Sequence, residues 1–141
     1  MKLFLPGLLL ACVTAGASQP LTSTTPVRNF KLPTFTTEGY RSMLLLGSEA
    51  VVSADQITVA NLNLTLFKGD EADTIETVIL SPSAIAAVDA RQVQGEGTVR
   101  VIRDDIEITG QGWTYEHNQK KVSIAHDARV VFRAPTPDIL K

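Results

Sequence analysis

The sequence predicts an all-β fold: a single open, twisted antiparallel β jelly roll, or β-taco, preceded by an export signal and a linker. Three observations predict it. Apolar residues recur at every second position in short runs, as in Val99 and Val101, Ile106 and Ile108, and Val122 and Ile124. Such spacing sets one face of a strand against a core and leaves the other in water. Tight polar or glycine-rich breaks separate the runs, including Asp104-Asp105, Gly110-Gln111-Gly112, Glu116-His117-Asn118-Gln119 and His126-Asp127. Connections this short build antiparallel pairs, because a parallel crossover needs about a dozen or more residues. A loose repeat also recurs: Gly47-Ser48-Glu49-Ala50, Ser81-Pro82-Ser83-Ala84 and His126-Asp127-Ala128 each place a small residue at a strand entrance after a polar turn. Repeats of this kind suit stacked hairpins.

The chain has 141 residues, of which 44% are hydrophobic and 20% charged, enough for one domain with a real core. Residues 1–17 stand apart. Met1-Lys2 is a short basic start, Leu3 to Val13 is apolar but broken by Pro6-Gly7, and Ala15-Gly16-Ala17 is a small-x-small cleavage site. The apolar run is shorter than the roughly 20 residues a spanning helix needs. Three fates stay open: cleavage after Ala17, lipidation at Cys12 in the box-like Leu9-Leu10-Ala11-Cys12, or retention as an anchor. Each exports the chain. Cys12 is the only cysteine, so packing without an internal disulfide must hold the core.

Residues 18–33 are rich in Thr, Ser and Pro and read as an extended linker. The β domain is expected over 34–134. It begins with Phe35-Thr36-Thr37, turns at Glu38-Gly39, and continues from Tyr40 to Leu46, ending at Gly47. Gln56 to Phe67 is the longest strand, closed by Lys68-Gly69-Asp70. Within it, Ile57 and Val59 are apolar at odd positions but Leu62, Leu64 and Leu66 at even ones. That change of parity would turn the side chains to the other face unless a residue is inserted, so a bulge is expected near Ala60-Asn61.

Thr74 to Leu80 forms the next strand, closed by Ser81-Pro82. Ala84 to Ala90 is Ala-rich and compatible with a helical turn, but its place between β regions favours a strand. After a turn at Gln94-Gly95-Glu96-Gly97, the meander runs from Val99 to Ala134. Pro135 and Pro137 end regular pairing, leaving 135–141 as a tail.

Little in this pattern suits catalysis. His117 and His126 fall in successive turns, with Glu116 and Asp127 beside them but not convergent, so turn histidines are favoured over a metal site. Asp104-Asp105 fits a turn better than an acid–base pair, because strand neighbours point to opposite faces. Ser81 and Ser123 have no His/Asp arrangement nearby, and no Gly-x-x-x-x-Gly-Lys-Ser/Thr segment is present. A net charge of −2, with Arg100, Arg103, Lys120 and Lys121 set among acids, argues against nucleic acid. No catalytic residue, cofactor or metal is expected. Trp113 and Tyr115 share a face and fit either a groove mouth or ordinary core.

Several stretches resemble the periplasmic lipopolysaccharide-export β jelly rolls, the LptC, LptA and OstA-like proteins. They are Thr36-Thr37-Glu38-Gly39-Tyr40-Arg41 through Gly47-Ser48-Glu49-Ala50, then Ile57-Thr58-Val59 and Ser81-Pro82-Ser83-Ala84. The best match runs from Asp105-Ile106-Glu107-Ile108-Thr109-Gly110-Gln111-Gly112-Trp113-Thr114-Tyr115 through Lys121-Val122-Ser123-Ile124 to Ala128-Arg129-Val130-Val131-Phe132. The resemblance covers roughly Phe35 to Phe132 and is greatest to the LptC-like bridge component.

It implies a passive lipopolysaccharide carrier in the periplasm, tethered to the inner membrane if the anchor is retained. Acyl chains would lie between the sheets against an interior face of Val99, Val101, Ile106, Ile108, Trp113, Val122, Ile124, Val130 and Phe132. The implied partners are lipopolysaccharide, the inner-membrane lipopolysaccharide transporter complex, and other periplasmic jelly-roll proteins docked through edge strands. The competing expectation is an exported structural or adhesive β protein with a solid core.

Overall fold

A computed structural model describes residues 25–132. The readings for residues 1–17, for the start of the linker and for the tail lie outside the described residues.

Among the described residues, seven strands form one sheet in chain order: β1 (Val27–Phe35), β2 (Arg41–Val52), β3 (Gln56–Phe67), β4 (Ile75–Ala87), β5 (Gln92–Arg103), β6 (Ile106–Glu116) and β7 (Lys121–Phe132). Every strand pairs antiparallel with its neighbours in sequence, so the sheet is an uncrossed meander with edges at β1 and β7. The hairpin turns use residues suited to them. Gly39 and Gly69 take φ of 94° and 82°, and Asp104 opens its two-residue turn at φ 51°. The Asp70 carboxylate accepts a hydrogen bond from the Thr74 amide at 2.9 Å and closes the β3–β4 loop.

Each strand is interrupted near its middle, and the interruptions line up across the sheet. Asn29, Asn61 and Asp127 have φ of 52°, 52° and 55°, and Gly112 has φ 65°. In β2, buried Met43 and Leu45 give way to buried Ala50; in β3, Ile57 and Val59 to Leu62 and Leu64; in β4, Ile79 to Ala84 and Ala86. The odd-to-even change foreseen at Ala60-Asn61 is therefore real, and both halves of β3 keep one buried face. β2 and β4 carry matching interruptions, so the register of β3 with them passes through unshifted. Register does shift at β4–β5, β5–β6 and β6–β7, because β5 and β7 each carry one residue more than their neighbours there.

The interruptions define a crease across the sheet, with a leaf on either side. On the first leaf one inward row runs through all seven strands: Leu32, Leu45, Leu64, Ile79, Val101, Ile108 and Val130. On the second, Val52, Ile57, Ala86, Val93, Tyr115 and Val122 form the equivalent row. Side chains of the two leaves form one buried cluster, while close Cα approaches join only adjacent strands. Near the crease their gap is filled by side chains, as between packed sheets about 10 Å apart.

Four sequence expectations change. Gly47-Ser48, Ser81-Pro82, Gln94-Gly95-Glu96-Gly97, Gly110-Gln111-Gly112 and His126-Asp127 are not turns between strands; they lie inside β2, β4, β5, β6 and β7 at the crease. The three-fold repeat read as strand entrances is this same crease, seen in β2, β4 and β7. The linker reading of 18–33 gives way to β1 from Val27, where Phe30 and Leu32 pack against the core. Pro33 is tolerated because β1 is an edge strand, where one side of the backbone has no partner. Ala84–Ala87 is strand as expected, but Val88 to Arg91 is the β4–β5 turn.

Candidate functional site

Near the crease the interior is filled by the protein's own side chains. Trp113 and Tyr115, at 2% and 1% exposure, join Leu64, Ile79, Val59 and Val99 as core. Their core role thus replaces the groove-mouth alternative. The Trp113 Nε1–H donates to Ser81 Oγ at 3.2 Å, and the Ser81 hydroxyl lies 2.8 Å from the Thr98 carbonyl. Ser81 therefore ties β4, β5 and β6 together. Gly95 lets the indole lie over β5: a Cβ there would overlap Trp113 Nε1 and come within 2.9 Å of the Ser83 carbonyl oxygen.

Away from the crease the leaves separate. An apolar slot of about 260 Å³ lies between Leu32, Met43 and Leu45 of the first leaf and Ala86, Val88 and Val93 of the second. Arg91, Gln92 and His117 stand at its rim. A wider groove of about 440 Å³ lies instead beside the crease on the outer face of the second leaf, over Gly95, Gly112 and Trp113, with Gln94, Glu96, Thr114, Ser123 and His126 making its walls more polar.

Placement of the nine expected interior residues is uneven. Val99, Val101 and Trp113 are buried; Ile106, Ile108, Val122 and Ile124 are half-buried. Val130 and Phe132 are 54% and 75% exposed, against the expectation of an enclosed face. They pair directly with Ile108 and Ile106 and so share their face, but among the described residues that face is open at this end of β7. None of the nine lines the slot. Its walls come instead from β1, β2, β4 and β5, and alternation at Phe30, Leu32 and Thr34 was the available signal for β1.

The two histidines stand far apart in role. His126 sits at the β7 crease, exposed, whereas His117 begins the β6–β7 turn and is half-buried. Its backbone N–H donates to the Arg91 carbonyl at 3.0 Å, and its Nδ1 lies 2.9 Å from the Tyr115 hydroxyl. Burial and the Glu76 carboxylate push the Tyr115 phenol up to about 12. Burial, then the charges on Arg91 and Lys120, hold the His117 pKa below its ordinary 6.5.

The fold thus favours neutral His117, and the unfolded chain takes up a proton that the fold resists. The stability involved is fully present above pH 6.5 and is lost as pH falls through that value toward the lowered pKa. Urea unfolding across this window is expected to show acid destabilisation in the wild type and a flatter profile in His117→Gln. Superimposable profiles would contradict the assignment.

No family model matches the chain, and no curated protein matches it significantly.

Proposed function

We propose that this protein is a periplasmic lipopolysaccharide carrier of the LptC-like type. In this reading the creased meander is an open β-taco that takes lipid A acyl chains between its leaves. It passes lipopolysaccharide from the inner-membrane transporter toward the outer membrane by edge-to-edge docking with other jelly-roll proteins. The observation that carries the proposal is the apolar slot between leaves of one sheet whose two edges are both unpaired among the described residues. Alkyl chains gain about 0.8 kcal/mol per methylene on leaving water, so even a partial chain in the slot is held. Edge backbone at β1 and β7 is a template for strand addition, and exposed Val130, Val131 and Phe132 give the β7 edge an apolar flank.

The test is purification from a lipopolysaccharide-containing host, followed by native mass spectrometry and exposure to added lipopolysaccharide. Bound or captured lipopolysaccharide is the expected result. Repeated failure, where a known carrier succeeds side by side, would overturn the reading. The filled core around Trp113 and Tyr115 favours one competitor, an exported structural or adhesive β protein. That protein would capture no lipid and would self-associate through its edges.

A further inference from the structure

We infer that the slot takes an alkyl chain bearing an anionic headgroup, with the headgroup held outside by Arg91 at the mouth and Lys120 in the adjoining turn, on either side of neutral His117. This inference rests on the reading of the slot as a lipid site and adds to it a direction of entry and a headgroup chemistry. The chain enters at the tip of the second leaf, between the joined β4–β5 and β6–β7 turns on one side and the first leaf on the other, and its polar end stays at the mouth.

The geometry behind this is local. Arg91 and His117 both border the slot, whose deeper walls are Leu32, Met43, Leu45, Ala86 and Val93. The two turns are tied together by the bond from the His117 N–H to the Arg91 carbonyl, and Lys120 is tied to His117 by its own N–H at 3.2 Å from the His117 carbonyl. Arg91 and Lys120 take φ of 50° and 47°, so both turns hold these residues in the left-handed region. Neither cation is in an ion pair among the described residues, although Asp89 and Glu116 lie in or beside the same turns. After burial, their charges are what lowers the His117 pKa, which is consistent with a positive rim.

An apolar channel ending in unpaired cations suits an amphiphile: the chain leaves water, and a guanidinium or ammonium meets the headgroup in charge-assisted hydrogen bonds. A phosphate and a carboxylate share this chemistry, and Arg91 can engage either one bidentately.

The experiment measures binding of decyl phosphate, decanoate and decanol to the full exported protein by isothermal titration calorimetry. The phosphate is expected to bind about tenfold or more tightly than the alcohol, a difference near 1.4 kcal/mol. Comparison of phosphate with carboxylate identifies which anion the rim prefers. In the Arg91→Gln/Lys120→Gln double variant, decanol binding is expected to persist while the anion preference falls to within about twofold.

Should that variant not fold, salt serves on the wild type: added salt is expected to weaken phosphate binding and leave the alcohol unaffected. Equal binding of phosphate and alcohol by the wild type, or a preference that survives the double substitution, would overturn the rim alone. Absence of binding by all three probes would overturn the lipid reading of the slot and this inference with it.

Discussion

Replacing Trp113 with alanine is expected to lower the unfolding free energy by about 3–5 kcal/mol, the largest loss foreseen for any single side chain here. Trp113 is 2% exposed and sits beside the crease, where its ring spans β5 and its N–H reaches Ser81. Removal leaves a cavity at the one line along which all seven strands bend. Domains of this size are stable by about 5–15 kcal/mol in total, so about a fifth or more of the stability is at risk. Trp113→Phe separates the two contributions, because it keeps most of the volume and loses only the hydrogen bond, a change of about 1–2 kcal/mol. Urea denaturation measures both. A loss below about 1 kcal/mol for Trp113→Ala would show that the indole is not a keystone of the crease.

The second large effect is expected at Gly95. Valine there places Cβ on the Trp113 indole nitrogen with the Ser83 backbone carbonyl close behind, and backbone cannot swing aside as a flexible side chain can. Overpacking of this kind costs about 1–3 kcal/mol or more. Gly97→Val is the matched comparison, two residues along the same strand with open space around the position. It is expected to change stability by no more than about 0.5 kcal/mol. Equal melting temperatures for the two variants would contradict the close approach of indole and strand that defines the crease on β5.

Much of the architecture was legible in the sequence, because each leaf by itself obeys a period of two. Val99 with Val101 and Leu62 with Leu64 announce a buried face, and the mismatch between Val59 and Leu62 announces an inserted residue. The crease was harder to read. Glycine, Asn, Asp and Ser-Pro are the chemistry of turns, and they are also the chemistry of strand interiors that bend sharply. One strand alone cannot tell the two apart; only the alignment of Asn29, Asn61, Gly112 and Asp127 across paired strands does so.

Two further gaps have physical causes. The Thr, Ser and Pro content of 18–33 suggested a linker, yet Pro33 is compatible with an edge strand, where one side of the backbone needs no N–H. Val130 and Phe132 were correctly placed on the face they share with Ile108 and Ile106. Alternation reports which face a side chain occupies, not whether anything lies opposite it, so their exposure was beyond the pattern. The slot was illegible for the same reason: Leu32 and Met43 meet Ala86 and Val93 only through the fold of the sheet.

The central claim is that the space between the leaves receives fatty chains. Site-specific photocrosslinking tests it most directly, with a photoreactive residue at Leu32 on the slot wall and, separately, at its neighbour Lys31 on the other face of β1. A lipopolysaccharide adduct from position 32 and none from position 31 is the outcome the account predicts. No adduct from 32, or equal adducts from both, would contradict it.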